Sequence, residues 1–303
     1  MSGPMPVPAD TRFAADAFAG FGLLSHDTVN IGDEIQAVAA RRFLPRIDRL
    51  IPREALSRDP GGPVRLILNG WFMHDARAWP PHPLIDPLPV SIHLSRRRPT
   101  RRRFWAPVPA RTMLGPAGIA CFKAHGPVGA RDPATLRLLN AKGIDAYHSG
   151  CLSLTLPGSA VPRGDRVVAC DLPAELLAAL ASRTRKPPLT VSHVQPAAGA
   201  HAARMNRAEA LLDCYAGAKA VVTSRLHCAL PCLALGTPVL FIPCHDDPER
   251  HEPALALARW STPTDFLAGR SGFDPEDPPP NPGRHREMAA ALVQRCEAFV
   301  AGR

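Results

Sequence analysis

Arg225 and His227 stand two residues apart in Ser224-Arg-Leu-His227, and the residues around them say where they sit. Upstream, Ala220 to Thr223 is a short β-branched run of the kind that forms a buried parallel strand. Downstream is an Ala/Leu-rich stretch that reads as a helix, closed by Gly236-Thr-Pro and a second apolar run, Pro238 to Ile242. A guanidinium and an imidazole are thus placed where a strand's carboxyl end meets a helix amino terminus. Open α/β sheets bind ligands there, and helix amino termini favour anions. Arginine suits bidentate recognition of carboxylate or phosphate, and histidine suits proton transfer near neutral pH.

Two further segments have the same character. Arg131-Asp132-Pro133 reads as a helix start, with Asp132 as N-cap and Pro133 at the first helical position. Asn30-Ile-Gly-Asp33 leads into a helix, so its backbone N–H groups are candidates for an anion or a sugar, while Asp33 is equally well read as an N-cap. Gly32 and Gly70 fit tight strand-to-helix turns. His93 is read either as a group lining the cleft or as an internally satisfied histidine, and His148, beside Ser149-Gly150, as closing a crossover. Cys228 and Cys232, four apart on one helical face, read as core packing; the chain's eight cysteines contain no C-x-x-C pair, and no metal is expected.

The elements that must carry these residues alternate between strand and helix. Strands are expected at Phe21–Leu24, Val64–Leu68 and Pro89–Leu94, with helices over Glu34–Phe43 and from Pro133 to about Lys142. A Pro/Gly-rich stretch, 157–165, separates this half from a second one. There, strands at Val167–Ala169 and Leu189–Val194 alternate with helices at Pro173–Ser182 and Ala202–Gly217 before the Arg225–His227 segment. The long helix should turn Met205, Ala208, Leu211, Leu212 and Tyr215 inward. A proline-rich connector leads to a final amphipathic helix, 284–301, which could pack back on the first half. The expected fold is α/β, with two Rossmann-like halves facing across a cleft: residues 1–157, then 158–275, then a connector and helix over 276–303.

The chain has 303 residues, 46% of them hydrophobic, and no apolar run long enough for a membrane-spanning helix. Its first ten residues are Pro-rich and lack the pattern of a secretory signal, so a reducing, cytoplasmic setting is expected. The net charge of +9 favours an anionic substrate or partner. Six arginines lie between Arg96 and Arg103; they read as a solvated loop, as a phosphate-binding patch, or as a contact with anionic lipid or a lipid-linked glycan at the inner membrane face. The run lacks the interleaved aromatics that stack single-stranded bases, and no nucleic-acid partner is expected.

Four segments in order, Asn30-Ile-Gly-Asp33, Val128-Gly-Ala-Arg-Asp132, Ser149-Gly-Cys-Leu-Ser-Leu-Thr-Leu156 and Ser224-Arg-Leu-His227, resemble the polysaccharide pyruvyl transferases. The resemblance implies transfer of pyruvate from phosphoenolpyruvate, as co-substrate and without a further cofactor, to two hydroxyls of a sugar or lipid-linked glycan. The product would be a ketal and the leaving group phosphate. It implies a fold similar to the two-domain GT-B glycosyltransferases. By position, His227 falls on the family's catalytic histidine, and Arg131 and Arg225 on its donor-facing arginines. Leu226 would add backbone or packing contacts at the donor, while Asn30, Gly32 and Asp33 stay candidates for an acceptor sugar or an anion. Two rivals are a nucleotide-sugar glycosyltransferase, for which Glu249 and Glu252 are the nearest ribose-binding candidates, and a non-catalytic relative binding an anionic polymer.

Overall fold

In a computed structural model, described over residues 20–97, 108–194, 199–244 and 248–302, the chain forms two wholly parallel sheets clothed in helices. The first half runs β1 (Gly20–Ser25), α1 (Gly32–Arg41), β2 (Arg49–Pro52), β3 (Val64–Phe72), β4 (Ile85–Leu94), α2 (Pro109–Met113), α3 (Pro116–Ala124), β5 (Val128–Ala130), α4 (Pro133–Asn140) and β6 (Ala146–His148). Its strand order is β2-β1-β3-β4-β5-β6. The second half runs β7 (Val167–Cys170), α5 (Ala174–Ala181), β8 (Leu189–Val191), α6 (His201–Ala216), β9 (Ala220–Thr223), α7 (Leu226–Leu235), β10 (Val239–Phe241), α8 (Pro248–Leu257), β11 (Arg259–Trp260), α9 (Pro263–Leu267) and α10 (Arg286–Val300). Its order is β11-β10-β9-β7-β8.

Both orders reverse direction once, between β1 and β3 in the first sheet and between β7 and β9 in the second. Such switch points leave a crevice at the strands' carboxyl ends. The central strands are buried on both faces, which is why Val64-Arg-Leu-Ile-Leu and Ala220-Val-Val-Thr are near-continuous apolar runs rather than alternating ones. Each fully buried Val, Leu or Ile there contributes about 1.5–3 kcal/mol relative to exposure.

One apolar cluster runs through both halves. Ile31 and Ile35 of the α1 region, Leu152 and Leu154 of the crossover, Met205 and Leu211 of α6, Leu226 and Leu230 of α7, and Leu292 and Cys296 of α10 all belong to it. Helix α1 is buried from Gly32 to Ala40 because it lies between the sheets, packed on β1, β3, α6 and α7. Its small residues, Gly32, Ala37, Ala39 and Ala40, permit that approach. The five α6 residues expected inward are indeed buried, and Arg204 joins them. Helix α10 does return to the first half, where the Arg295 guanidinium donates to the Pro127 carbonyl at 2.8 Å.

Several expectations need correction. Gly70 lies inside β3, at a register irregularity and with φ +120°, so it serves a strand distortion rather than a turn into a helix. Asp33 is not the N-cap of α1; Ile31 holds that position and Asp33 sits in the first turn. The short strand β2 and helices α2 and α3 were not expected, and helix α8 forms despite Pro253. Of the Arg96–Arg103 run, only Arg96 and Arg97 fall within the described residues.

Candidate functional site

The carboxyl edges of the two sheets meet in a seam built around the start of α1. Asn30 pairs with Val194 in an antiparallel bridge, and the Ile31 N–H donates to the His193 carbonyl at 2.8 Å. Gly32 then lets α1 press against α7: a Cβ on it would lie 2.9 Å from His227 Nδ1 and 3.1 Å from His227 Cβ. Asn30-Ile-Gly-Asp33 and Ser224-Arg-Leu-His227, nearly two hundred residues apart, thus touch through Gly32 and His227. The loop's amides are already engaged, Gly32 N–H with Asn30 Oδ1 and Asp33 N–H with the Asn30 carbonyl. They are not free to bind an anion.

His227 occupies the first turn of α7 and is buried, and its Nε2 has no partner among the described residues. Pro231, four residues on, carries no N–H, so the His227 carbonyl also lacks its usual helical donor. Burial, then the charges of Arg131 and Arg250, hold the imidazole well below its ordinary pKa. The ring is therefore neutral near pH 7.

Arg131 follows β5, fixed by its N–H to the Ile92 carbonyl at 2.8 Å. The residue is 1% exposed, yet Nε, Nη1 and Nη2 all lack partners among the described residues. A buried guanidinium that finds no acceptor among the described residues carries a desolvation cost. Its neighbour Asp132 does cap α4, accepting the Thr135 N–H at 2.8 Å. It also accepts from His93 Nδ1 at 2.6 Å. Burial alone would raise the Asp132 carboxyl, but the His93 bond and nearby positive charge outweigh it and hold it low. His93 is thus internally satisfied, and His148 spends its Nε2 on the Arg131 carbonyl at 3.3 Å.

Arg225 is positioned differently. It is the N-cap residue of α7, and its Nε donates to Asp171 Oδ2 at 2.7 Å, across the β7/β9 switch point. Asp171 also takes the Ser192 hydroxyl at 2.6 Å and the His193 N–H at 2.9 Å. Arg131 therefore has no partner among the described residues, while Arg225 is tethered by a carboxylate. Leu226 is buried in the shared core beside them.

Beneath α7, Cys228 comes within reach of Cys170 and His193, their donor atoms all within 4.8 Å of one another. His193 Nε2 lies 2.8 Å from the Tyr215 hydroxyl, which donates to Cys170 Sγ at 3.5 Å. The Cys170 thiol is raised by its bond with Cys228 and by burial, and the Cys228 thiol by burial. The two thiols are thus held protonated within a hydrogen-bonded cluster.

At the first-half end of the seam are residues that sequence reasoning missed. Asp33 Oδ2 accepts from Arg53 Nη1 at 3.1 Å and from the Thr28 hydroxyl at 3.0 Å. Burial would raise this carboxyl, but Arg53 outweighs it and holds Asp33 well below the usual range. Glu34 Oε1 accepts from Arg204 Nε at 2.6 Å, and burial pushes that carboxyl up. Arg250, on the unexpected helix α8, brings a further positive charge to bear on both His93 and His227. Glu249 is occupied by Arg96 at 2.8 Å, an ion pair joining the two halves.

The fold and seam define an α/β protein with two parallel sheets and a buried cationic site between their carboxyl edges. A family model described as polysaccharide pyruvyl transferase matches residues 30–246, and the chain belongs to that family. Among solved structures it is similar to a functionally uncharacterised protein of Klebsiella pneumoniae, at 14% identity and a TM-score of 0.49, covering 78% of this chain and 88% of that one. None of the curated proteins matches it. No helix among the described residues is long and apolar enough to cross a membrane.

Proposed function

We propose that the protein transfers pyruvate from phosphoenolpyruvate onto two hydroxyls of a glycan precursor as a ketal. The two halves, 1–157 and 158–275, would face each other as in the GT-B arrangement, with 276–303 crossing back. The observation that carries this reading is the buried Arg131 guanidinium, without a partner among the described residues, acting on a His227 whose Nε2 likewise has none among them. Family membership supplies the reaction class. The donor carries a carboxylate and a phosphate, each able to accept the paired N–H groups that Arg131 leaves open.

The step balances without a further co-reactant. Bound donor offsets the positive charge that keeps His227 neutral, so the imidazole takes up a proton and delivers it to the methylene carbon of the enol. The adjacent carbon becomes electrophilic, one acceptor hydroxyl attacks it, the bond to phosphate oxygen breaks, and a second hydroxyl closes the ketal. Of the two hydroxyl protons, one replaces that used on the methyl group and the other leaves with phosphate. Arg131 and the Asp171-tethered Arg225 hold the departing charge. Arg96 to Arg103 supports an acceptor presented at a membrane surface on the cytoplasmic side.

The test is phosphate release from phosphoenolpyruvate with a panel of saccharide acceptors, comparing the protein with its His227→Ala and Arg131→Met variants. Acceptor-dependent release lost in both variants is expected. Release that survives in both would refute the assignment, and hydrolysis of a nucleotide sugar instead would favour the glycosyltransferase reading.

A further inference from the structure

The carboxyl ends of three neighbouring strands, β2, β1 and β3, present Arg53, His26 and Trp71 side by side at the first sheet's switch point. Arg53 Cζ lies 5.4 Å from the centroid of the half-buried Trp71 ring. From the second half, Arg204 reaches the same place through Glu34. Arg53 is 1% exposed and Arg204 4%. Even so, Arg53 Nη2, both Arg204 Nη atoms, Glu34 Oε2 and His26 Nδ1 lack partners among the described residues.

The inventory of open positions points to the ligand. Guanidinium nitrogens only donate and a carboxylate only accepts, whereas a hydroxyl does both. An anion would satisfy the arginines but meet Asp33, Glu34 and Glu54, whose charges already match Arg53 and Arg204. A ring bearing neighbouring hydroxyls can bond guanidinium and carboxylate together and lay its apolar face on Trp71. Resting on the transferase reading above, we infer that Trp71, Arg53, Arg204 and Glu34 form the subsite for the acceptor's sugar ring, and that the ring is uncharged where it binds. The subsite adjoins Asp33, whose neighbour Gly32 touches His227, so a ring here lies next to the donor.

The test titrates full-length protein with methyl glycosides of glucose, galactose, mannose and N-acetylglucosamine, with methyl glucuronide, and with inorganic phosphate. The variants are Trp71→Ala and Arg204→Met, and binding is read by ligand-observed NMR. At least one neutral glycoside should bind and weaken about tenfold or more in both variants, while phosphoenolpyruvate still raises the melting temperature. Should Arg204→Met fail to fold, Trp71→Ala, with its half-exposed ring, reports alone. The inference is overturned if no neutral glycoside binds, if the variants bind it as the parent does, or if only glucuronide or phosphate binding depends on Arg204. A parent protein that binds glycosides but ignores phosphoenolpyruvate would refute the donor assignment and leave this subsite standing.

Discussion

Arg131 embodies a conflict between folding and function. Its guanidinium is buried without an acceptor among the described residues, so Arg131→Met should remove a desolvation penalty and stabilise the donor-free protein by about 1–3 kcal/mol. The same change should abolish stabilisation by phosphoenolpyruvate, and paired thermal melts with and without donor check both halves of the claim. His227 adds a pH dependence. Its pKa is held low by burial and nearby arginines and must rise beside an anionic donor, so donor binding takes up a proton and weakens as pH rises toward the pKa of the complex. Affinity measured from pH 6 to 9 in the parent, against a flatter profile in His227→Asn, would show it. Both residues were legible in the sequence because type and strand-end position coincide there. Arg53, Arg204 and Glu34 were not, since nothing local distinguishes a buried charged residue from a solvated one; Asp33 lies 20 residues from Arg53, and Glu34 lies 170 from Arg204.

At the scale of elements, the contact between α1 and α7 sets the site's geometry. Gly32→Ala should push the His227 ring aside, because both Nδ1 and the less mobile Cβ would stand too close to the new methyl group. A stability loss of about 1–3 kcal/mol and a fall in kcat exceeding any rise in donor KM are expected, measured by denaturant unfolding and steady-state kinetics. The sequence showed Gly32 as a glycine the chain needs, but assigned it to a turn; only the packed helices reveal close approach as the reason. The elements read correctly, such as α6, α7 and β9, are those with clear periodicity or a buried apolar run. Strand β2 and helices α2, α3 and α8 escaped because they are short, or because proline disguises their pattern, as Pro253 does inside α8.

For the molecule as a whole, burial of neutral histidines in the seam ties stability to pH. Burial and then Arg53 hold His26 down at about 3, and His93 and His227 are also lowered, chiefly by burial. Each binds its proton more readily in the unfolded chain, so stability is full above the unfolded value near 6.5 and is lost as pH falls below it. Melting temperatures should decline from pH 7 to pH 5, and His26→Gln should flatten part of that decline. The α/β class with parallel sheets was visible in the alternation of strands and helices, and residues 157–165, between the two sheets in sequence, carry no helix or strand. The single apolar cluster running through α1, α6, α7 and α10 was not visible, because it joins residues from both ends of the chain.

The central claim is that Arg131 and His227 together bind phosphoenolpyruvate. Calorimetric titration of the donor into full-length protein and Arg131→Met, in two buffers of different ionisation enthalpy, reports affinity and proton uptake together. The account predicts binding with net proton uptake in the parent and none in a variant that is folded and at least as stable. Equal affinity in the two proteins, or binding without proton uptake near neutral pH, would contradict it.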